Sequence, residues 1–162
     1  MRTDVDEVLF VAPDEGESLG VVGTTTTILA DGARTGGAYA LVEALMPVGD
    51  GPPPHLHRRE AEAFYVIAGE VIVQAGGRVI RAAAGSCLHV PPGVVHTFRN
   101  EGPAAARLLV VISPAGFEGF FRRVGVPLAA RHDAAPTPDA AHIRAVMENA
   151  AAFDMVLDAP GR

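Results

Sequence analysis

Lysine is absent from this chain: all 13 basic residues are arginines. Without a primary side-chain amine there is no Schiff-base or pyridoxal chemistry. Nor is there a Walker-type phosphate loop, which sets that amine against the phosphates. Serine is almost as scarce. Ser18, Ser86 and Ser113 are the whole supply, and none sits in the G-x-S-x-G turn of a hydrolase nucleophile. No G-x-G-x-x-G follows a strand, so a dinucleotide-binding fold has no support. The single cysteine, Cys87, excludes an intrachain disulfide and any CxxC motif, in keeping with a reducing compartment.

Long apolar runs are also missing. Residues 108–112 form one of the purest, far short of the roughly 20 residues that span a bilayer. Residues 1–7 carry acids where a secretory signal carries bases and then an apolar stretch. These features predict a cytoplasmic protein with no membrane partner. A net charge of −6 argues against a nucleic-acid partner, which calls for a basic face. By elimination, any chemistry rests on His, Asp, Glu and a bound ion.

What remains is an ordinary globular composition, 49% apolar and 20% charged, over 162 residues, the size of one domain. From about residue 18 to 112, short apolar runs alternate with Gly, Pro, Asn and Asp. The runs are 20–29, 38–46, 63–68, 71–74, 79–82, 87–90, 95–99 and 106–112. Many short strands with turns between them predict an all-β sandwich or barrel. Gly76-Gly77 marks a hairpin.

Past residue 112 the pattern changes. Ser113 as cap and Pro114 as first residue predict a helix whose stripe is Phe117, Phe120, Phe121 and Val124, ended by Pro127. Thr137 and Pro138 predict a second, with Asp139 at its positive end and a stripe of Ile143, Val146 and Met147. Both helices are expected to close the barrel or support a subunit contact, with residues 131–138 as a linker. The expected division is a barrel domain over 1–130, including the first of these helices, and a helical extension over 131–162.

Two blocks carry the chemistry. The first, residues 49–69, contains His55-Leu56-His57 and, five residues on, Glu62; the second, residues 85–100, contains Pro91-Pro92-Gly93 and then His96. Side chains alternate along a strand, so His55 and His57 face the same way. Glu62 follows a short turn at the start of the next strand and can face them. His96 supplies a fourth donor from a separate part of the barrel. Three imidazoles and a carboxylate suit one divalent transition metal ion: Fe, Mn, Ni, Co, Cu or Zn. Such a site keeps a net charge of about +1, which favours an anionic or enolisable substrate.

The blocks resemble the two motifs of the cupin superfamily. G-x5-H-x-H-x4-E-x6-G is filled from Gly49 to Gly69, and G-x5-P-x-G-x2-H-x3-N from Gly85 to Asn100. The resemblance covers roughly residues 36–125. It implies a jelly-roll barrel with short C-terminal helices, the metal ligands His55, His57, Glu62 and His96, and a homodimer. Residues 36–44, Pro52-Pro53-Pro54-His55, Phe64-Tyr65-Val66-Ile67 and residues 114–121 look like the small single-domain bacterial quercetin dioxygenases, which open a flavonol ring with O₂.

In that reading Glu62 is catalytic, taking the substrate hydroxyl proton, or else only a ligand. Phe64 and Phe98 share strand parity with Glu62 and His96. Both either stack on an aromatic substrate or simply fill the barrel. Tyr39 is a third candidate for substrate contact. Glu60 is expected in an exposed turn, Cys87 packed near the barrel wall, and Asn100 as a strand-end hydrogen-bonder. His89, His132 and His142 are expected at the surface or satisfied.

Three functions follow from this reading. One is a metal-dependent dioxygenase acting on a small aromatic or enol-containing hydroxy-ketone. Another is a non-redox isomerase, cyclase or decarboxylase in small-molecule biosynthesis. The third is a cupin that binds a small ligand without turnover.

Overall fold

A computed structural model describes residues 8–157, and the acidic residues 1–7 read above lie outside them. Twelve strands among the described residues form two antiparallel sheets. One sheet runs β11 (Val126–Pro127), β1 (Glu17–Val21), β2 (Thr24–Ala30), β3 (Ala40–Met46), β10 (Ala106–Ser113), β5 (Ala61–Ala68) and β8 (Cys87–Val90) in spatial order. The other runs β12 (Met155–Leu157), β4 (His55–His57), β9 (His96–Arg99), β6 (Glu70–Ala75) and β7 (Arg78–Ala83). Three short helices accompany them: α1 (Gly32–Thr35), α2 (Glu118–Val124) and α3 (Ala140–Ala150). This is the all-β jelly roll that the strand pattern and motifs predict. None of the described helices is long and apolar enough to cross a membrane.

The alternation that defines each strand also fills the space between the sheets. On β10, Ala106, Leu108, Val110 and Ile112 point inward and are buried. They meet Val42, Ala44 and Met46 of β3 and Phe64 and Val66 of β5, all of one apolar cluster. Each fully buried Leu or Ile contributes about 1.5–3 kcal/mol by leaving water. The β6–β7 hairpin turns at Gly76-Gly77, both with positive φ, as expected for a two-residue turn.

Four expectations need correction. Residues 20–29 are not one strand but a hairpin, because Val22 (φ 50) and Gly23 (φ 89) form a two-residue turn between Val21 and Thr24. Ser113 does not cap a helix. It ends β10, and α2 begins only at Glu118 after Phe117. The second helix is capped by Asp139, whose side chain accepts from the His142 N–H, not by Thr137. Of its expected stripe only Val146 is buried, with Ala150; Ile143 and Met147 stay exposed.

Residues 131–157 also supply more than helix, since β12 returns to pair with β4. The loop before β4 is clamped from behind. Gly49 N–H donates to Asn100 O at 2.7 Å and Asn100 N–H to Asp50 O at 2.9 Å. Gly51 lies so close to β9 that a Cβ there would meet the Phe98 carbonyl at 2.2 Å, so only glycine fits. Asn100 is the expected strand-end hydrogen-bonder. Its fully buried Nδ2 donates to the Met46 and Ala104 carbonyls, and its Oδ1 accepts from Gly102 N–H.

Candidate metal centre and its cavity

β4 is only three residues long, and its burial alternates, so His55 and His57 both point inward around half-buried Leu56. β9 pairs with it such that His96 stands opposite His55. Glu62 comes from the other sheet, as the second residue of β5, on the inward face it shares with Phe64 and Val66. All four are buried, and one ligating atom from each lies within 4.8 Å of every other. Chain positions up to 41 residues apart are thus brought to one point by two strand pairings and the fold of one sheet over the other.

The ring orientations follow from neighbouring carbonyls. A carbonyl can only accept, so His55 Nδ1–H donates to Pro53 O at 2.9 Å and His96 Nδ1–H to Val94 O at 3.0 Å. Each ring is left with Nε2 facing the centre. His96 Nε2 lies 2.8 Å and His57 Nε2 3.4 Å from Glu62 Oε2. His57 is wedged edge-on against the Phe117 ring, with centroids 4.3 Å apart.

Burial and neighbours set the charges. Burial, with a further push from His96, lowers the His55 pKa to about 4, so this ring is neutral at pH 7. Burial alone would raise Glu62, but the His57 and His96 rings beside it more than offset this and hold it well below the usual carboxylate range. For His96, burial opposes the charged form, but the hydrogen bond to Glu62 prevails and raises its pKa.

The residues fit a divalent ion. Both ring nitrogens of His57 are buried without a hydrogen-bond partner among the described residues, and an enclosed imidazole is rarely left so. The His55 and His96 imidazoles and the Glu62 carboxylate complete a donor set suited to a first-row transition metal.

Three of the four, His55, His57 and Glu62, open onto a cavity of about 120 Å³ between the sheets. Phe64 and Phe98 both line it, 5.0 Å apart between centroids. Thr24, Thr26, Val42 and Ala44 line one flank, and Val110 and Ile112 the adjoining wall. The residues missed by sequence reasoning are C-terminal: Val146, Met155 and Leu157 complete the lining with the Phe117, Phe120 and Phe121 stripe. That aromatic stripe was visible as a helix pattern, whereas three residues of β12 are too few to announce a strand. Among the described residues no arginine lines the cavity, and Glu62 is its one acid.

Three side chains fall elsewhere than expected. Tyr39 is outside the lining and 40% exposed, held before β3 by hydrogen bonds between its backbone and Thr35 Oγ1. Glu60 is not exposed but 3% accessible, folded under the turn next to Arg59, with Oε2 unpaired. Burial raises its pKa. Cys87 is exposed, on the outward face of edge strand β8. The other histidines are at the surface or satisfied, as expected. His89 is exposed, His132 lies 3.2 Å from Glu43, and His142 Nε2 accepts from Val22 N–H at 3.2 Å.

The sequence pattern of the cupin domain matches residues 42–112. Quercetin 2,3-dioxygenase of Bacillus subtilis (strain 168) is 30% identical over 146 residues; these are 90% of this chain but 43% of that enzyme, so the chain spans less than half its length. Polyketide synthase CurC of Streptomyces cyaneus is 27% identical over 100% of this chain and 93% of its own length. Among solved structures, an RmlC-like cupin from Shewanella frigidimarina NCIMB 400 superposes with a TM-score of 0.61 at 24% identity, covering 70% of this chain and 96% of that one. Both motif blocks lie within residues 42–112 and fold onto one buried quartet inside this jelly roll, so this segment is a cupin domain.

Proposed function

We propose that the protein is a metal-dependent dioxygenase acting on a small aromatic or enol-containing hydroxy-ketone of flavonol type. The observation that carries this reading is one contrast. His55, His57 and Glu62 of a buried, highly polar quartet open onto a cavity whose remaining lining is apolar but for Thr24 and Thr26, with no cationic side chain besides the histidines among the described residues. A phosphorylated or dicarboxylate substrate would meet nothing to pair its second charge there. A flat hydroxy-ketone presents two adjacent oxygens at one end and hydrocarbon elsewhere, which matches the walls. The likeness to quercetin 2,3-dioxygenase points the same way.

His55, His57, Glu62 and His96 would hold the ion, which when bound makes an enol hydroxyl more acidic and steadies its anion. Glu62 is the group that takes the enol proton, being the one carboxylate in the lining among the described residues. Phe64 and Phe98 flank the substrate ring, and the apolar walls keep water from the anion. The expected O₂ co-substrate, homodimer and cytoplasmic location belong to the same proposal.

Oxygen uptake by metal-loaded protein tests this across a panel of flavonols and related enols. Uptake is expected in the wild type and lost in Glu62→Ala and His96→Ala. A silent electrode across the whole panel rejects the dioxygenase.

A second reading has its own support, the match to polyketide synthase CurC along the whole chain. Here the same cavity hosts a non-redox cyclase, isomerase or decarboxylase, with Glu62 shuttling the proton. Turnover under strict anaerobiosis with Zn²⁺ distinguishes it, and an absolute need for O₂ removes it.

A further inference from the structure

Four consecutive threonines, Thr24, Thr25, Thr26 and Thr27, make up most of β2. Three have evident protein partners. Thr24 donates to Asp50, Thr25 to the Asp133 carbonyl at 2.6 Å, and Thr27 to the Arg131 carbonyl at 3.3 Å while lying 2.9 Å from the Ser18 hydroxyl. Thr26 differs. It is 5% exposed and lines the cavity, and among the described residues its hydroxyl has no hydrogen-bond partner. Nor is that oxygen among the fully enclosed unpaired atoms, so it keeps some accessibility on a residue that lines the cavity.

The fold gives no structural reason for a hydroxyl there. Thr26 stands in register with Ala44 of β3, and the surrounding lining is apolar. Valine has the same shape and at least the same strand preference, and it would pack this wall without an unpaired polar atom. An unpaired buried hydroxyl is a cost unless something arrives to bond it.

Its position relative to the quartet is informative. β3 and β10 separate β2 from β5, so Thr26 and Glu62 lie on opposite flanks of the cavity. Glu62 is in register through Ile112 with Ala40, and Thr26 with Ala44, so three strand spacings of about 4.8 Å and four residues of about 3.3 Å put them on the order of 20 Å apart measured along the sheet, a path that the sheet's curl around the cavity shortens. A ligand anchored by its enol-ketone end at the quartet would bring its remote end to this flank.

We infer that Thr26 is a substrate-orienting residue, whose hydroxyl bonds a polar substituent on the ring remote from the enol-ketone. The inference rests on the functional reading above and refines it, from any apolar enol-ketone to one hydroxylated at the far end. One neutral hydrogen bond corresponds to about fivefold in affinity.

The experiment compares galangin with kaempferol, which differ by one hydroxyl on the remote ring. Each is titrated anaerobically into metal-loaded wild type, Thr26→Val and Thr26→Ser, with the flavonol's own absorbance as readout. Wild type is expected to bind kaempferol about fivefold tighter than galangin. Thr26→Val should erase that preference and Thr26→Ser should restore it, with circular dichroism melts showing that both variants are folded. A preference that survives in Thr26→Val, or is missing from wild type, overturns the role of Thr26 alone. If neither flavonol binds wild type, the flavonol reading of the cavity falls and takes this inference with it.

Discussion

Two buried glutamates outside the candidate metal-binding quartet titrate in opposite directions, and the difference is one of partners. Glu43 sits on β3 beneath residues 131–133 and is 2% exposed. Burial alone would raise its pKa, but Arg131 at 3.1 Å and Arg107 at 2.8 Å more than offset this and lower it. Its contribution is therefore fully present above the ordinary carboxylate range near pH 4.3 and disappears as pH falls through the depressed folded value. Glu43→Gln should cost about 3 kcal/mol at pH 7, because it strands Arg131. In urea titrations from pH 7 to pH 3 the two proteins should converge toward acid, and a gap that stays constant with pH would refute the ion-pair account. Glu60 behaves the other way. With Oε2 unpaired among the described residues and the Arg59 guanidinium near Oε1 largely in solvent, burial prevails and raises its pKa, so its charged form opposes folding at pH 7 and that cost fades in acid. Glu60→Gln should raise the melting temperature at pH 7 and leave it unchanged near pH 4. A lower melting temperature at pH 7 would mean that the carboxylate has a partner after all.

At the scale of elements, strands announced themselves where a turn residue bounded an alternating run, as at Gly76-Gly77, Cys87–Val90 and the β10 strand. The elements that escaped lacked that punctuation. Val22 takes a left-handed conformation usually left to glycine or asparagine, so the β1–β2 turn was hidden inside a β-branched run. Ser113-Pro114 looks like a helix start, yet the ladder from β10 to β5 runs on through Ser113 to Ala61, and strand pairing overrides a local cap signal. The third case is β12, whose three residues carry no period of their own and exist as a strand only because β4 offers an open edge. That dependence is mutual. β4 is equally short and meets β9 only at His55, so β12 supplies most of its ladder, with Met155 opposite His57 and Leu157 opposite His55. Met155 is buried, and Met155→Ala should cost about 2–3 kcal/mol. Its specific consequence is a looser His57. Metal affinity should fall several-fold in a chelator competition, while Val146→Ala, equally buried but off the ladder, should leave it unchanged. Equal affinity losses in both variants would show that β12 acts only through general stability.

At the scale of the whole molecule, the candidate site was more legible than the cavity around it. The quartet lies within two short blocks whose residue types carry the chemistry, so strand alternation together with the resemblance to the cupin motifs nominates His55, His57, Glu62 and His96. The cavity walls come from β2, from the aromatic stripe of α2 and from the C-terminal return, and no local pattern links those segments. A bound ion would connect the two sheets directly, since His55, His57 and His96 belong to one and Glu62 to the other. Global stability should then depend on metal in a way that local packing does not. A ligand at a hundred times its dissociation constant adds about 2.7 kcal/mol to the folded state. At roughly 2–4 °C per kcal/mol for a domain of this size, that is a rise of about 5–11 °C in melting temperature. Scanning calorimetry of chelator-treated protein, with and without added Ni²⁺ or Mn²⁺, measures it. The same rise must vanish in His96→Ala, which removes one ligand from β9 while leaving Glu62 and the opposite sheet in place. If that variant keeps the full metal-dependent shift, the ion binds somewhere other than between the sheets.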